Sequence, residues 1–248
     1  MSFFSGFADV VDQLADVLHP LFQGASVAVA IILFTMAVRL AVHPLSRAAA
    51  RGQKARTKLA PQLAELRKKH GKNPEKLQRE MLELHKREGV SPLSGCLPSL
   101  LQLPAFFLMY HLFSTKEIGG EANPLLGHSL GGAPLAGRFH DALADGGLFG
   151  GAGLVYIALF LLVTAVATFN YRRTKQQMAT APAPTGEAAP GMGAMLKFMP
   201  LMSFLTLFTV AVVPLAAALY VVTSTTWSAA ERYFLYRDAP PTALAAAM

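Results

Sequence analysis

The sequence predicts an all-α polytopic membrane protein with a five-transmembrane-helix core and basic cytoplasmic loops. Hydrophobic residues make up 53% of the 248 residues and charged residues only 15%, yet the formal net charge is +7. The apolar residues are collected into long runs and the basic residues lie between them, which is typical of multi-spanning membrane proteins. The single cysteine, Cys96, cannot form an internal disulfide, and no Cys and His cluster has zinc-ligand spacing. We therefore predict no metal site and no cofactor.

Four apolar blocks give five predicted spans. A transmembrane helix needs about 20 apolar residues, and the fourth block, from Phe198 to Trp227, is too long for one span. Pro214 lies near its centre, where a proline interrupts the backbone hydrogen bonds and favours a tight turn between two short helices. The predicted spans cover residues 25–43, 97–114, 151–170, 198–213 and 214–230.

The distribution of basic residues predicts the orientation of these spans. Segment 44–96 carries thirteen of the twenty-two Lys and Arg residues, so the positive-inside rule makes it cytoplasmic. Residues 1–24 carry none, and their apolar residues recur at helical spacing, which indicates an amphipathic helix on the outer face. The glycine-rich segment 115–150 is then external, whereas segments 171–197 and 231–248 are cytoplasmic. We expect the N-terminus outside and the C-terminus inside.

Segment 44–96 is predicted to form a helical hairpin. Apolar residues recur at helical spacing in both of its halves: Leu59, Leu63, Leu66, Leu77, Met81 and Leu84. Between the halves, Gly71 suits a helix end, Asn73 suits an N-cap and Pro74 suits the first helical position.

The basic residues of the hairpin and of segment 171–197 are candidates for contact with the ribosome or with anionic lipid. Their excess over acidic residues is too large for simple pairing within a helix. A solvated helix face and a surface that binds lipid headgroups or ribosomal RNA both remain open. These residues are Arg47, Arg51, Lys54, Arg56, Lys58, Arg67, Lys68, Lys69, Arg172 and Arg173.

Arg39 lies inside the first apolar run, about one helical turn before the run ends at His43-Pro44. A charge well inside a membrane helix costs roughly 2.5–3.5 kcal/mol, so it usually faces a polar cavity, a partner or a substrate. From this position a long side chain also reaches the headgroups by snorkelling. The first helix alone does not decide between these interpretations.

Polar residues of the other spans share helix faces at spacings of three and four residues. A lone Ser or Thr most often bonds to its own helix or contacts a neighbouring one. If the polar stripes converge, the bundle encloses a hydrophilic intramembrane groove with one fixed positive charge. The candidate groove residues are Arg39, Thr35, Gln102, Ser99, Tyr220 and Ser224.

Several stretches of the chain carry a resemblance to a known family. Residues 95–110 read GCLPSLLQLPAFFLMY, residues 38–45 hold Arg39 and a Pro-Leu pair, and segments 61–84, 197–200 and 214–220 follow in the same order. Together they resemble the YidC/Oxa/Alb family of membrane protein insertases over about residues 25–237, in a bacterial form, like that of Gram-positive bacteria and actinobacteria, without a large external domain. Arg39 matches the family's single groove arginine.

The resemblance implies a function and a location. Family members form a five-helix core around a groove that is open to the cytoplasm and to lipid and closed toward the outside. They are not enzymes, and they insert and help to fold nascent membrane proteins without consuming nucleotide. The implied location is the bacterial plasma membrane. The implied partners are nascent membrane proteins, the ribosome and anionic lipids, with no DNA, and the chain is expected to work as a monomer. Its clients, its dependence on a Sec translocon and the existence of a paralogue stay open.

The chain also departs from the family pattern. Val213, Val221 and Thr225 replace family residues around the fifth span, and Ala230-Glu231 stands near the usual Gln-Gln pair. Segment 180–193 is rich in Ala, Pro and Gly and poor in large apolar residues, so we expect it to be disordered.

The sequence also offers weaker signals for two other functions. Gly127-His128-Ser129-Leu130-Gly131 fits the G-x-S-x-G pattern of hydrolases, but that motif needs a preceding strand and a following helix. A small-solute transporter or channel often has inverted repeats with paired broken helices, and no second copy of the arginine-bearing span is found.

Overall fold

A computed structural model gives the fold of residues 3–70, 73–89, 107, 110–111, 115, 117–118, 121–123, 127–180 and 198–235. The described chain is mostly helical, as predicted. Its helices are α1 (Phe3–Phe22), α2 (Ser26–Lys58), α3 (Ala60–His70), α4 (Pro74–Arg87), α5 (Phe139–Gly146), α6 (Gly151–Thr180), α7 (Leu205–Val212) and α8 (Leu215–Leu235). Two short antiparallel hairpins pair β1 (Glu117–Ile118) with β2 (Glu121–Ala122) and β3 (Ser129–Leu130) with β4 (Ala133–Pro134).

The chain divides into two compact units. The first comprises Met1–Val42, Gln102–Thr168 and Phe204–Ala230, and the second comprises His43–Leu101, Phe169–Ser203 and Glu231–Met248. Residues from α1, α2, α6, α7 and α8 form the buried apolar core of the first unit, whereas the second contains the predicted cytoplasmic hairpin.

Two helical segments of the described chain are long and apolar enough to cross a membrane. They are Asp9–Gly52 and Gly151–Gln176, and the apolar segment Pro200–Val212 is shorter. The predicted span 97–114 lies almost entirely outside the described residues, as do the tail from residue 236 and nearly all of segment 180–193.

The first two helices meet at a short 3-10 turn, Gln23–Ala25. In α1, Val11 and Ala15 are buried and Asp16 is exposed, which fits the predicted amphipathic helix. α2 does not end at Pro44, where the apolar run ends, but continues to Lys58. A proline within a helix removes one backbone hydrogen bond and does not oblige the chain to leave the helix. The Ala, Arg and Lys residues that follow are strong helix formers and extend it.

The predicted hairpin is present in α3 and α4, which pack against each other. α3 ends at His70, Pro74 opens α4, and the Asn73 side chain accepts a hydrogen bond from the Lys76 backbone N–H at 3.1 Å. The prediction of Asn73 as an N-cap is confirmed. Leu59 was expected within the first hairpin helix but lies in the turn before it, since Pro61 cannot donate a backbone N–H to continue α2.

Pro214 separates two helices, as predicted. α7 ends at Val212, Val213 is extended and α8 begins at Leu215. The fourth predicted span is less regular than expected, because residues Met199–Phe204 form a 3-10 helix before α7.

Part of the predicted external segment contacts the first turn of α8. Two of its carbonyl groups accept hydrogen bonds from the first turn of α8: Leu215 N–H donates to Gly137 at 2.8 Å and Ala216 N–H donates to Leu135 at 2.9 Å. The Tyr156 hydroxyl, on α6, donates to the Gly137 carbonyl at 2.9 Å. We call residues 135–137 the outer strap, because they belong to the segment that is predicted to be external. It provides acceptors for helix N–H groups that have no partner within the helix.

Candidate functional site

Arg39 and Ser224 are brought together from two helices of the first unit. The Arg39 Nε–H on α2 donates to the Ser224 hydroxyl on α8 at 3.1 Å, and Nη2 donates to the same oxygen. Ser224 is 1% exposed, and Arg39 is half-buried. The guanidinium therefore contacts a buried hydroxyl of a neighbouring helix.

The other candidate groove residues differ in their surroundings. Thr35 is buried, and its hydroxyl donates to the Ile31 carbonyl of its own helix at 2.7 Å. Tyr220 is buried on α8, one turn before Ser224. Ser99 and Gln102 lie outside the described residues. Among the candidate groove residues that the structure describes, the contact between helices joins Arg39 on α2 to Ser224 on α8.

The polar face of α8 extends beyond Ser224. The Ser228 hydroxyl donates to the Ser224 carbonyl at 2.9 Å. Thr225 lies on an adjacent face, and its hydroxyl donates to the Val221 carbonyl at 2.8 Å. Such bonds to the preceding turn are the usual way in which Ser and Thr are satisfied in membrane helices.

A further polar contact was not predicted from the sequence. In the second unit, His43 Nδ1 lies 2.6 Å from Glu231 Oε1, joining α2 to α8. Its position follows from helix geometry only once Arg39 is known to contact Ser224. His43 follows Arg39 by four residues and Glu231 follows Ser224 by seven, both of which repeat a helix face.

The candidate basic surface is distributed over three helices. Arg47, Arg51 and Lys58 are exposed on α2 and Lys54 is half-buried there; Lys68 and Lys69 are exposed on α3; on α6, Arg172 is exposed and Arg173 is half-buried. Arg56 and Arg67 lie in α2 and α3, but their side chains are outside the described part.

The G-x-S-x-G segment does not form a nucleophile elbow. Ser129 is exposed in β3, and the hairpin turns at Gly131 and Gly132, whose φ angles are 57° and 86°. A following strand replaces the helix that the hydrolase motif requires. Among the described residues, no group of three or more His, Cys, Asp and Glu side chains could hold a metal ion.

Comparison with known proteins decides the family. The model of the family described as 60Kd inner membrane protein matches residues 17–242. The chain belongs to this family. This confirms the resemblance drawn from the sequence.

Relatives named "Membrane protein insertase YidC" are similar to this chain. The protein of Prosthecochloris aestuarii is 30% identical over 213 residues, which cover 84% of this chain and 33% of the relative. That of Chlorobium luteolum is 31% identical over 205 residues, covering 83% and 32%. That of Clostridium perfringens is 43% identical over 91 residues, covering 37% and 38%. The chain spans about a third of the length of these relatives.

Proposed function

We propose that the chain is a membrane protein insertase that moves hydrophilic segments of nascent membrane proteins through an intramembrane groove and assists their folding. The contact of Arg39 with buried Ser224 is the observation that carries this proposal. A charge held between two membrane helices is expensive to retain without a function. Family membership and the names of the relatives support the same activity.

The groove is proposed to lie within a five-helix core, open to the cytoplasm and to lipid. The hydrogen bonds between the outer strap and the first turn of α8 support closure on the outer side. A hydrophilic client segment would then leave water for a partly hydrated groove instead of bare hydrocarbon, which lowers the barrier to its transfer. Ser99 and Gln102 of the second span are proposed to line the same groove as Thr35 and Tyr220.

Arg39 is proposed to bind acidic residues of the client. A hydrogen bond between a guanidinium and a carboxylate is charge-assisted and about twice as strong as a neutral one. A client carboxylate therefore competes well with the neutral Ser224 hydroxyl for the Arg39 donors. Partition of the client's apolar part into lipid then drives release, and the membrane potential contributes about 2.3 kcal/mol per charge per 100 mV.

The remaining assignments rest on the charge pattern and on the resemblance to the family. The N-terminus is proposed outside and the C-terminus in the cytoplasm of a bacterial plasma membrane, with the span boundaries predicted above. The exposed basic residues of α2, α3 and α6 are proposed to contact the ribosome or anionic lipids. The chain is proposed to work as a monomer, alone or beside a Sec translocon.

Substitution of Arg39 tests this proposal. We expect Arg39→Gln to reduce insertion of clients with an acidic translocated segment about tenfold, the equivalent of about 1.4 kcal/mol, because glutamine removes the charge. Clients whose acidic residues are changed to Asn should be less affected. The measurement is protease protection of clients in proteoliposomes.

Arg79→Gln is the matched control, since Arg79 is an exposed arginine of α4 that belongs to neither the groove nor the candidate basic surface. One unaffected client is compatible with the proposal. If a normally folded Arg39→Gln protein inserts every tested client at the normal level, this result contradicts the proposal.

A further inference from the structure

His43 and Glu231 form a polar contact between helices that are distant in sequence. The distance between His43 Nδ1 and Glu231 Oε1 is 2.6 Å, and the exposed fractions of the two side chains are 34% and 12%. A carboxylate oxygen only accepts hydrogen bonds, so Nδ1 of His43 is the donor whether the imidazole is neutral or protonated. The pairs Arg87–Glu88 and His140–Asp141, by contrast, join sequence neighbours.

Stability alone explains this pair poorly. Ion pairs removed from water repay their desolvation only in part, and well-packed apolar residues of similar size often join two elements as well or better. The pair also lies at the end of the apolar run of α2, where the His43 ring is one third exposed. A donor at this place is accessible to a polypeptide segment that arrives from the cytoplasmic side.

We propose that His43 is a second binding residue for the acidic side chains of clients, and that Glu231 occupies it until a client carboxylate takes its place. The proposal rests on the proposed insertase function and deepens it by naming the ligand chemistry, an Asp or Glu side chain of a nascent segment. An incoming carboxylate presents to Nδ1 the same acceptor that Glu231 presents.

Exchange of one carboxylate for another makes the contact reversible. The bond that His43 forms with the client is similar to the bond it loses with Glu231, and the displaced Glu231 carboxylate, 12% exposed, must be rehydrated, so the net gain is small. A donor without a resident acceptor would hold an acidic segment more tightly and delay its release. Glu231 therefore limits how strongly acidic segments are retained, which makes it a specificity-determining residue.

Substitution of each partner tests the exchange. A stalled client carries a photoreactive amino acid beside a single Asp, and a second client has Asn in place of that Asp. Adducts with the full-length chain in membranes are measured for Glu231→Gln, His43→Gln and the double variant. His140→Gln, which removes the exposed imidazole of another His–carboxylate pair, is the matched control.

We expect Glu231→Gln to increase the adduct yield of the Asp client about threefold and to leave the Asn client unchanged. His43→Gln should reduce the adduct yield of the Asp client to that of the Asn client. The double variant should give the same yields as His43→Gln. The control should match the unmodified chain. A lower adduct yield for both clients in Glu231→Gln would show that the pair only holds the two helices together, which would overturn the proposal. An unchanged adduct yield would overturn it as well.

The Arg39 experiment separates this inference from the proposed function. If Arg39→Gln impairs insertion of acidic clients while Glu231→Gln changes no adduct yield, the insertase proposal stands and the exchange at His43 is wrong. If Arg39→Gln impairs no client, the insertase proposal itself fails. Chain levels in the membrane are compared by immunoblot, and circular dichroism of the purified variants checks that they are folded.

Discussion

At the scale of single residues, hydrogen bonds separate the polar side chains that serve their own helix from those that reach another. Thr35, Thr209 and Thr225 donate to carbonyls of the preceding turn. Arg39 instead donates across to Ser224. The helix that carries an arginine offers few acceptors to the guanidinium N–H groups, so these groups donate to residues elsewhere. The residue that accepts from Arg39 therefore indicates the direction in which its side chain points.

The Arg39–Ser224 contact predicts energetic coupling. Ser224→Ala removes the shared acceptor, so Arg39→Gln and Ser224→Ala should be less than additive in the free energy of unfolding, with a coupling of roughly 0.6–1.7 kcal/mol. The measurement is a double-mutant cycle by denaturant titration in mixed micelles. Thr225→Ala, in which the lost hydroxyl bonded its own helix, should show no coupling to Arg39. Strict additivity of the first pair would contradict the contact.

At the scale of elements, the ends of helices are explained by local chemistry. Asn73 accepts a bond from the Lys76 N–H at the start of α4, and Pro74 occupies a position where its missing N–H has no cost. Pro214 ends α7 before α8 begins. These features depend on residues close in sequence, so the sequence was sufficient to predict them.

Removal of the Asn73 cap predicts a local effect. Asn73→Ala should destabilise the first turn of α4 by about 0.5–2 kcal/mol, because the Lys76 N–H loses its acceptor. Hydrogen exchange of the full chain in detergent should show faster exchange of the Lys76 amide. Gln78→Ala, at an exposed position of the same helix, is the control. An unchanged rate in Asn73→Ala would show that the cap does not contribute.

The outer strap could not be predicted from the sequence. Its carbonyls meet the first turn of α8 some 80 residues later in the chain, and Tyr156 supports it from α6. Neither glycine content nor periodicity reports such a contact. The extension of α2 beyond Pro44 was missed because the strong helix formers after the proline compensate for the backbone hydrogen bond that it removes. The His43–Glu231 pair was missed because the two residues lie far apart in the chain.

Loss of the Tyr156 hydroxyl tests the strap. Tyr156→Phe keeps the ring, which contacts Phe139 and Phe160 at centroid distances of 5.5 and 6.5 Å. It removes only the bond to the Gly137 carbonyl, so we expect a loss of about 0.5–1.5 kcal/mol in unfolding free energy. Tyr233→Phe makes the same change at a residue that is 47% exposed, and it should leave the stability unchanged. Equal stability of the two variants would argue against the strap bond.

At the scale of the whole molecule, the sequence was sufficient for the class and the family but not for the complete site. Apolar runs and basic segments predicted a helical membrane protein, and the motif at residues 95–110 predicted the family that the comparison established. The convergence of Arg39 with Ser224 required the fold, because the two residues lie 185 positions apart. The part of the groove assigned to the second span stays a prediction, since Ser99 and Gln102 lie outside the described residues.

The central claim is that client segments pass along the face that carries Arg39 and Ser224. Photocrosslinking to stalled nascent membrane proteins tests it most directly, with the photoreactive residue placed at Thr35, Gln102 or Tyr220 in turn. Leu161 and Phe208, each 67% exposed, supply the comparison positions on apolar surface. The account predicts adducts from the first three positions and few from the last two. Adducts from Leu161 and Phe208 alone would contradict it.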